Sequence, residues 1–321
     1  MLTDEASPIH EPTDDDAWQE SMALYWCDPA AGVGGALAFG GWANRGQAIT
    51  WYGVFDSSRG VGFQRTRPPF PLAPGDRAAT SIGCGGLRFE RDAEGRLSVR
   101  AEDEETGTLL ELELEDFYPM SPWPHANAAA LASQASGHLE ASGQATGRLV
   151  LDGRDIEVRP LYHRDGSWGP RTTQPMTAYS WSVGSCGPSL SWSALVLNIA
   201  GLPALETAFV AIDGELVPAT SVRTLVTVDH DALTVRSWST IVGLPDGSAL
   251  DVDASPVGHL FDHRAWPDVV ATDTIARARA SVGGQTYEGF AGLNRIVNPR
   301  LGTGVPSSYL GGSATDGIFR T

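Results

Sequence analysis

Leu109-Leu110-Glu111-Leu112-Glu113-Leu114-Glu115 alternates leucine with glutamate from Leu110 onward. Successive side chains of a strand point to opposite faces, so this stretch would place leucine on a core and glutamate in water. That is the pattern of a half-buried antiparallel strand. Further period-two runs occupy residues 48–55, 87–90, 97–101, 147–151, 156–159, 191–198, 208–212, 223–228 and 232–239. Asp152-Gly153, Asp213-Gly214 and Asp246-Gly247 lie between such runs and have the composition of tight hairpin turns. Helical patterns are few: an alanine-rich stretch at 126–134 and another at 272–280. The expectation is an all-β chain with few short helices, and its strand number fits two antiparallel barrels in tandem better than one sandwich. A polar stretch rich in glycine, proline and threonine, residues 166–175, reads as the linker, giving domains at 1–172 and 173–321.

The chain has 321 residues, 37 glycines, 21 prolines and ten tryptophans, enough for a substantial aromatic core. Its net charge of −17 disfavours nucleic acid or an anionic membrane as partner, because no basic patch can dominate such a surface. All 22 basic residues are arginine. Without lysine, Schiff-base chemistry, pyridoxal-phosphate anchoring, the phosphate-loop lysine and Ser-x-x-Lys acyl transfer are excluded. Cys27, Cys84 and Cys186 are widely spaced, which argues against a disulfide framework or a structural zinc. The acidic start of the chain lacks the apolar run of a signal peptide, and no apolar stretch is long enough to span a bilayer, so a soluble cytoplasmic protein is expected.

Chemistry concentrates at His163-Arg164-Asp165-Gly166-Ser167-Trp168-Gly169-Pro170-Arg171, just past the strand-like residues 156–159. The cluster is expected at a strand end, where loops display functional groups. Burial of Asp165 against Trp168 would raise its pKa and suit it to general-acid work, whereas Arg164 and Arg171 would lower it. The alternative is a structural loop with Arg–Asp pairs and a Gly169-Pro170 turn. His259 and His263 have a helical metal-ligand spacing, but they lack a glutamate after the first histidine and a third ligand. They read as residues of a polar loop, and no metal is expected. The glycine-rich segments 83–86, 184–187 and 32–35 match neither a nucleophile elbow nor a dinucleotide fingerprint and read as turns. His10, Trp18, Glu20, Tyr25 and Trp26 form a polar-aromatic patch that would strap the open end of a barrel. Glu288, between Tyr287 and Phe290, is a candidate buried carboxylate.

Several of these segments resemble a bacterial family related to hydroxyneurosporene synthase, the carotenoid 1,2-hydratase. They are His10…Trp18-Gln19-Glu20-Ser21…Asp28-Pro29…Gly32-Val33-Gly34-Gly35, and Gly137-His138-Leu139-Glu140…Gly147…Asp152-Gly153, followed by residues 164–171. The last resembles that family's central signature Arg-Asp-His-Ser-Trp-Gly-Pro-Arg, with Gly166 in place of the histidine. Tyr287-Glu288-Gly289 matches the closing strand more weakly. The resemblance implies two lipocalin-like (calycin-type) barrels with a cavity for an apolar, often terpenoid, small molecule. It also implies a cofactor-independent hydratase, lyase or pericyclic-cyclase type of activity, with Asp165 as the proton donor.

Adding water to an alkene needs a desolvated acid and a site that tolerates a cation. On this reading Asp165 is the acid, with His163 and Arg171 tuning it and Glu20 and Glu288 as further catalytic candidates. Trp168, Tyr162, Trp181 and Trp192 would line the pocket, an indole face stabilising a desolvated cation by ~2 kcal/mol. An isomerase or cyclase would use the same parts. The reading from another class is a non-catalytic carrier, which would expose Asp165 or lock it against arginine.

Overall fold

The structure is a computed structural model that describes residues 10–73, 76–78, 80–122, 135–171, 176–199, 204–230, 233–262, 270–297 and 317–320. It comprises two antiparallel lipocalin-like barrels in tandem. The first sheet is built from β1 (Trp18–Asp28), β2 (Val33–Trp42), β3 (Gln47–Asp56), β4 (Val61–Pro71), β5 (Arg77–Ala78), β6 (Ser81–Cys84) and β7 (Leu87–Arg91). It continues through β8 (Leu97–Asp103), β9 (Thr108–Asp116), β10 (Ser121–Pro122), β11 (Gly137–Leu151), β12 (Arg154–Val158) and β13 (Leu161–Pro170). The second contains β14 (Met176–Ser185), β15 (Leu190–Ile199), β16 (Leu205–Ile212), β17 (Glu215–Pro218) and β18 (Ser221–Val228). It is completed by β19 (Val235–Gly243), β20 (Ala249–Asp262), β21 (Val270–Val282) and β22 (Gln285–Val297). A final strand, β23 (Gly317–Arg320), returns to pair with β4 of the first sheet.

By contacts the chain divides into two compact units, 1–122 with 128–172 and 315–321, and 123–127 with 173–314. Among the described residues there is a short 3-10 turn, Ala43–Arg45, and no helix is long and apolar enough to cross a membrane.

The alternating leucine–glutamate stretch is β9. Leu110, Leu112 and Leu114 face the first core, with Met22, Leu24, Trp26, Leu37, Phe39, Phe63, Phe89 and Leu149. Asp152 and Gly153 both take positive φ (51° and 75°), as do Asp213 and Gly214 (50° and 80°), which makes tight two-residue links from β11 to β12 and from β16 to β17. The third Asp-Gly pair lies in a longer turn closed by a Leu244–Ser248 backbone hydrogen bond. In the second unit Trp192, Trp238, Val210, Leu250 and Leu293 form the core.

Three expectations are corrected. The stretch at 272–280 is not helical but part of β21: Ala276, Ala278 and Ala280 are buried while Arg277 and Arg279 are exposed, a period of two that alanine's helix propensity obscures. The cluster at 163–171 does not follow a strand end; it lies almost wholly within β13, so residues 166–170 are sheet and not linker. His259 sits in β20 and not in a loop, with Nδ1 3.3 Å from Thr274 Oγ1; His263 lies outside the described residues, as does the alanine-rich stretch at 126–134.

Gly143 shows how closely β11 is packed. A Cβ there would stand 2.1 Å from Glu115 O and 2.3 Å from the Tyr162 hydroxyl. Gly143→Ala is expected to cost about 1–3 kcal/mol by overpacking, read as a lowered urea midpoint with unchanged slope.

Candidate active site

The polar centre is assembled from three neighbouring strands, β1, β13 and β11, whose register is continuous. Asp165 stands between Ala23 on β1 and Glu140 on β11; His163 between Tyr25 and Ser142; Ser167 between Ser21 and His138. Side chains two residues apart on a strand share a face. His163, Asp165 and Ser167 therefore share one face with His138, Glu140, Ser142 and Ser21, opposite the face that carries Tyr162 and the apolar core. Both faces of β13 are thus used, one for packing and one for polar chemistry.

Glu140 and His163 are fully buried, and the Asp165 side chain is 14% exposed. Glu140 accepts hydrogen bonds from His138 Nε2 (2.8 Å) and His163 Nε2 (3.1 Å), and His163 Nδ1 is 2.9 Å from the Ser142 hydroxyl. Burial by itself would raise the Glu140 pKa, but the hydrogen bonds and charge of the two imidazoles outweigh it and hold it at about 2. Glu140 is consequently ionised. Asp165 is treated differently. Its Oδ2 lies 3.8 Å from His138 Nε2, and its buried Oδ1 has no hydrogen-bond partner among the described residues. Burial pushes its pKa up to about 6; the Glu140 charge adds to the rise, while His138, His163 and Arg171 oppose it. Two carboxyls on adjacent strands have their pKa values driven apart, so that between about pH 2 and pH 6 one is neutral and the other ionised, the arrangement that separates an acid from its ionised neighbour.

Arg171 lies at the end of this face, where Nη2 donates to Ser21 Oγ (3.0 Å) and Ser167 Oγ (2.7 Å). In the other direction the register runs from Asp165 through Ala23 on β1 and Ala38 on β2 to Trp51 on β3. Two alanines therefore make a low floor between the acid and an indole about three strand spacings, or ~14 Å, away. Tyr25 borders the floor on the His163 side.

Of the residues singled out in the sequence, His163, Asp165 and Arg171 are brought together. Trp168, Glu20 and Tyr162 are not: strand alternation puts them on the opposite face of β13 and β1. Trp168 stacks on His10 (centroids 3.6 Å apart, planes 7° apart), and Glu20 is buried with its Oε1 accepting from His10 N (2.7 Å) and paired with His10 Nδ1 (2.9 Å). The terminal patch is thus a strap of His10 over Trp168 and Glu20. The Tyr162 hydroxyl donates to Asp116 Oδ1 (2.6 Å). Trp181, Trp192 and Glu288 belong to the second unit. Trp181 donates to Ser193 Oγ (3.0 Å), and Trp192 is a fully buried core residue. Glu288 is not a buried carboxylate: its side chain is 76% exposed, 4.0 Å from Arg279. Among the described residues no group of three or more His, Cys, Asp and Glu is placed to hold a metal ion.

His138, Glu140 and Trp51 are the residues that inspection of the sequence leaves out of the site. The signal for the first two is the His-x-Glu spacing, which puts both on one strand face. Its significance depends on β11 pairing with β13, a long-range fact.

The chain matches the family described as Domain of unknown function (DUF7064) over residues 3–295. No curated protein sequence matches it. Among solved structures it is similar to a putative AttH from Nitrosomonas europaea, with 16% identity over 86% of this chain and 91% of that one and a TM-score of 0.63. It is also similar to CghA, solved with Sch210972, with 12% identity over 88% and 89% and a TM-score of 0.62. A third similar structure is kievitone hydratase from Nectria haematococca, with 11% identity over 92% and 94% and a TM-score of 0.61. Identities this low establish a shared fold.

Proposed function

The chain belongs to the DUF7064 family, and from that footing we propose that it is an acid-catalysed hydro-lyase, a hydratase or dehydratase of a hydrophobic small molecule, with Asp165 as the proton donor. The observation that carries the reading is the Asp165 carboxyl itself: buried, with Oδ1 unpartnered among the described residues, beside an ionised Glu140. A carboxyl whose pKa is raised to about 6 keeps its proton up to that pH, far above an ordinary aspartate, and can protonate a weak base such as an alkene carbon or an alcohol oxygen. A carrier would have no use for it, and Asp165 is neither freely exposed nor locked in an arginine pair. The likeness in fold to a protein named as a hydratase supports the same class.

In the hydration direction the Asp165 O–H breaks as a C–H bond forms, leaving a carboxylate and a carbocation. Water adds to the cation, and its surplus proton returns to the Asp165 carboxylate, restoring the acid. Glu140 stays ionised throughout and positions His138 and His163 around Asp165. Tyr25, on β1 beside the acid, supplies an aromatic face to a cation, in place of the Trp168 expected from the sequence, and Trp51 bounds the far end of the alanine floor. Terpenoid-like substrates fit a floor of this kind, and the chemistry draws on the chain's own residues. An isomerisation would differ only in losing a proton from carbon instead of gaining water.

The test begins with mass spectrometry of apolar molecules extracted from the purified protein, which are then returned to it in deuterium oxide. Hydration adds one water and fixes one deuterium on carbon; dehydration removes one water. Extracted ligands that come back unaltered from wild-type protein would favour the carrier instead. Because the acid must be neutral, kcat is expected to fall as pH rises through about 6. A rate that climbs through that range would assign Asp165 the role of base.

A further inference from the structure

The polar face of β13 continues past Asp165. One same-face step along the strand, about 7 Å away, stands Ser167, directly opposite Ser21 on β1. The two hydroxyls are 2.9 Å apart, and Arg171 Nη2 donates to both. Neither serine takes part in the proton transfer proposed for Asp165. Their hydrogens do not all find good acceptors. Each hydroxyl brings one proton, and one of the two is spent on the bond between them. When Ser21 is the donor in that bond, the Ser167 proton has no acceptor among the described residues. When Ser167 is the donor, the Ser21 proton has only Ser167 O, at a long 3.4 Å. The pair therefore has a proton to give, with a guanidinium behind it.

This cluster and the acid belong to one strip of the sheet. The serine row runs from Ser167 through Ser21 to Gly40 on β2 and Ile49 on β3. The acid row beside it runs from Asp165 through Ala23 and Ala38 to Trp51. Ser21, Ala23, Ala38 and Ile49 are half-buried, so the strip is within reach of a ligand. Its polar end is reinforced by Gln19, whose Nε2 lies 2.6 Å from where a Cβ on Gly40 would stand. The remainder, over the two alanines, offers only hydrocarbon.

We propose that the substrate of this site is an apolar carboxylic acid, its carboxylate held by Ser21, Ser167 and Arg171 and its chain laid over Ala23 and Ala38 with the reacting carbon at Asp165. The inference rests on the reading of Asp165 as the acid and adds to it the head group of the substrate. A hydroxyl donor backed by a guanidinium is complemented best by an anionic oxygen, because charge-assisted hydrogen bonds are about twice as strong as neutral ones. The reacting carbon then lies about one same-face strand step, ~7 Å, from the carboxylate.

Citronellate is the probe, since its alkene stands about five carbon–carbon bonds from its carboxylate, roughly that step; citronellol has the same chain without the charge. In isothermal titration calorimetry of the full chain, citronellate is expected to bind about tenfold more tightly than citronellol, or better. Arg171→Met should bring the two to similar affinity, and Arg171→Lys should restore part of the preference. Ser167→Ala should weaken citronellate by about tenfold, and it decides the matter if the arginine variants do not fold. The head group should also be felt at the acid. The titratable and charged groups around Asp165 are His138 and Glu140 on β11, His163 on β13 and Arg171, while β1 presents Ala23. Citronellate, unlike citronellol, should raise the Asp165 midpoint in a carbon-13 NMR titration, because a like charge nearby opposes ionisation. Equal affinity for the two probes, a preference indifferent to both Arg171→Met and Ser167→Ala, or an unmoved midpoint would each overturn the proposal. Asp165→Asn should bind citronellate at least as tightly as wild type. A citronellate preference that persists while no ligand takes up deuterium would uphold the head-group site and sink the acid reading alone.

Discussion

Asp165→Asn is expected to lower turnover about 10³-fold, the usual contribution of a positioned general acid, while apolar ligands bind within a few-fold of wild type. The same substitution should make the protein more stable at neutral pH. Burial raises the Asp165 pKa from 3.8 to about 6 in the folded chain. A raised folded pKa contributes stability that is complete below the unfolded value and lost as pH rises through the folded one. Above pH 6 wild-type protein therefore bears the cost of an ionised buried carboxylate that the asparagine variant avoids, a difference on the order of 3 kcal/mol. Denaturant melts at pH 4 and pH 7.5 should show the variants alike at the lower pH and the asparagine form ahead at the higher. Loss of activity joined to a gain of stability is the signature of a strained functional group; a residue conserving structure would lose both.

Glu140→Gln should act in the opposite sense. Its carboxylate holds both His138 and His163, and removing the charge leaves one imidazole facing an amide N–H₂, at a cost of about 3 kcal/mol at pH 7. Glu140 has a depressed folded pKa of about 2. Its stabilising contribution is therefore present above the unfolded value of 4.5 and disappears as pH falls through about 2, where wild type and variant should converge. Glu140 also helps to raise Asp165, so the descending limb of the pH–rate profile should move to lower pH in the variant. A variant with reduced stability but an unmoved limb would reduce Glu140 to a packing role.

The fold was legible where one strand face meets water. Leu110-Glu111-Leu112-Glu113-Leu114 states its own periodicity, and Asp152-Gly153 states its own turn. β13 did neither, because Tyr162, His163 and Arg164 are all buried and a strand covered on both faces has no polar–apolar alternation. Its glycines and proline then resembled a linker. The acid itself was legible from the residue cluster and the motif it resembles. Its partners were not: His138 and Glu140 reach Asp165 only because β11 pairs with β13, and Trp51 only through the register of three further strands. Trp168 was misplaced for the simplest reason, an odd separation from Asp165 along an extended strand.

The central claim is that between about pH 2 and pH 6 one fold holds Asp165 neutral and Glu140 ionised side by side. A carbon-13 NMR titration of the side-chain carboxyls, with Asp165 assigned by its absence in Asp165→Asn, measures this directly. The account predicts a midpoint near 6 for Asp165 and no titration of Glu140 down to about pH 3. An Asp165 signal titrating near 3.8, the ordinary value, would contradict it.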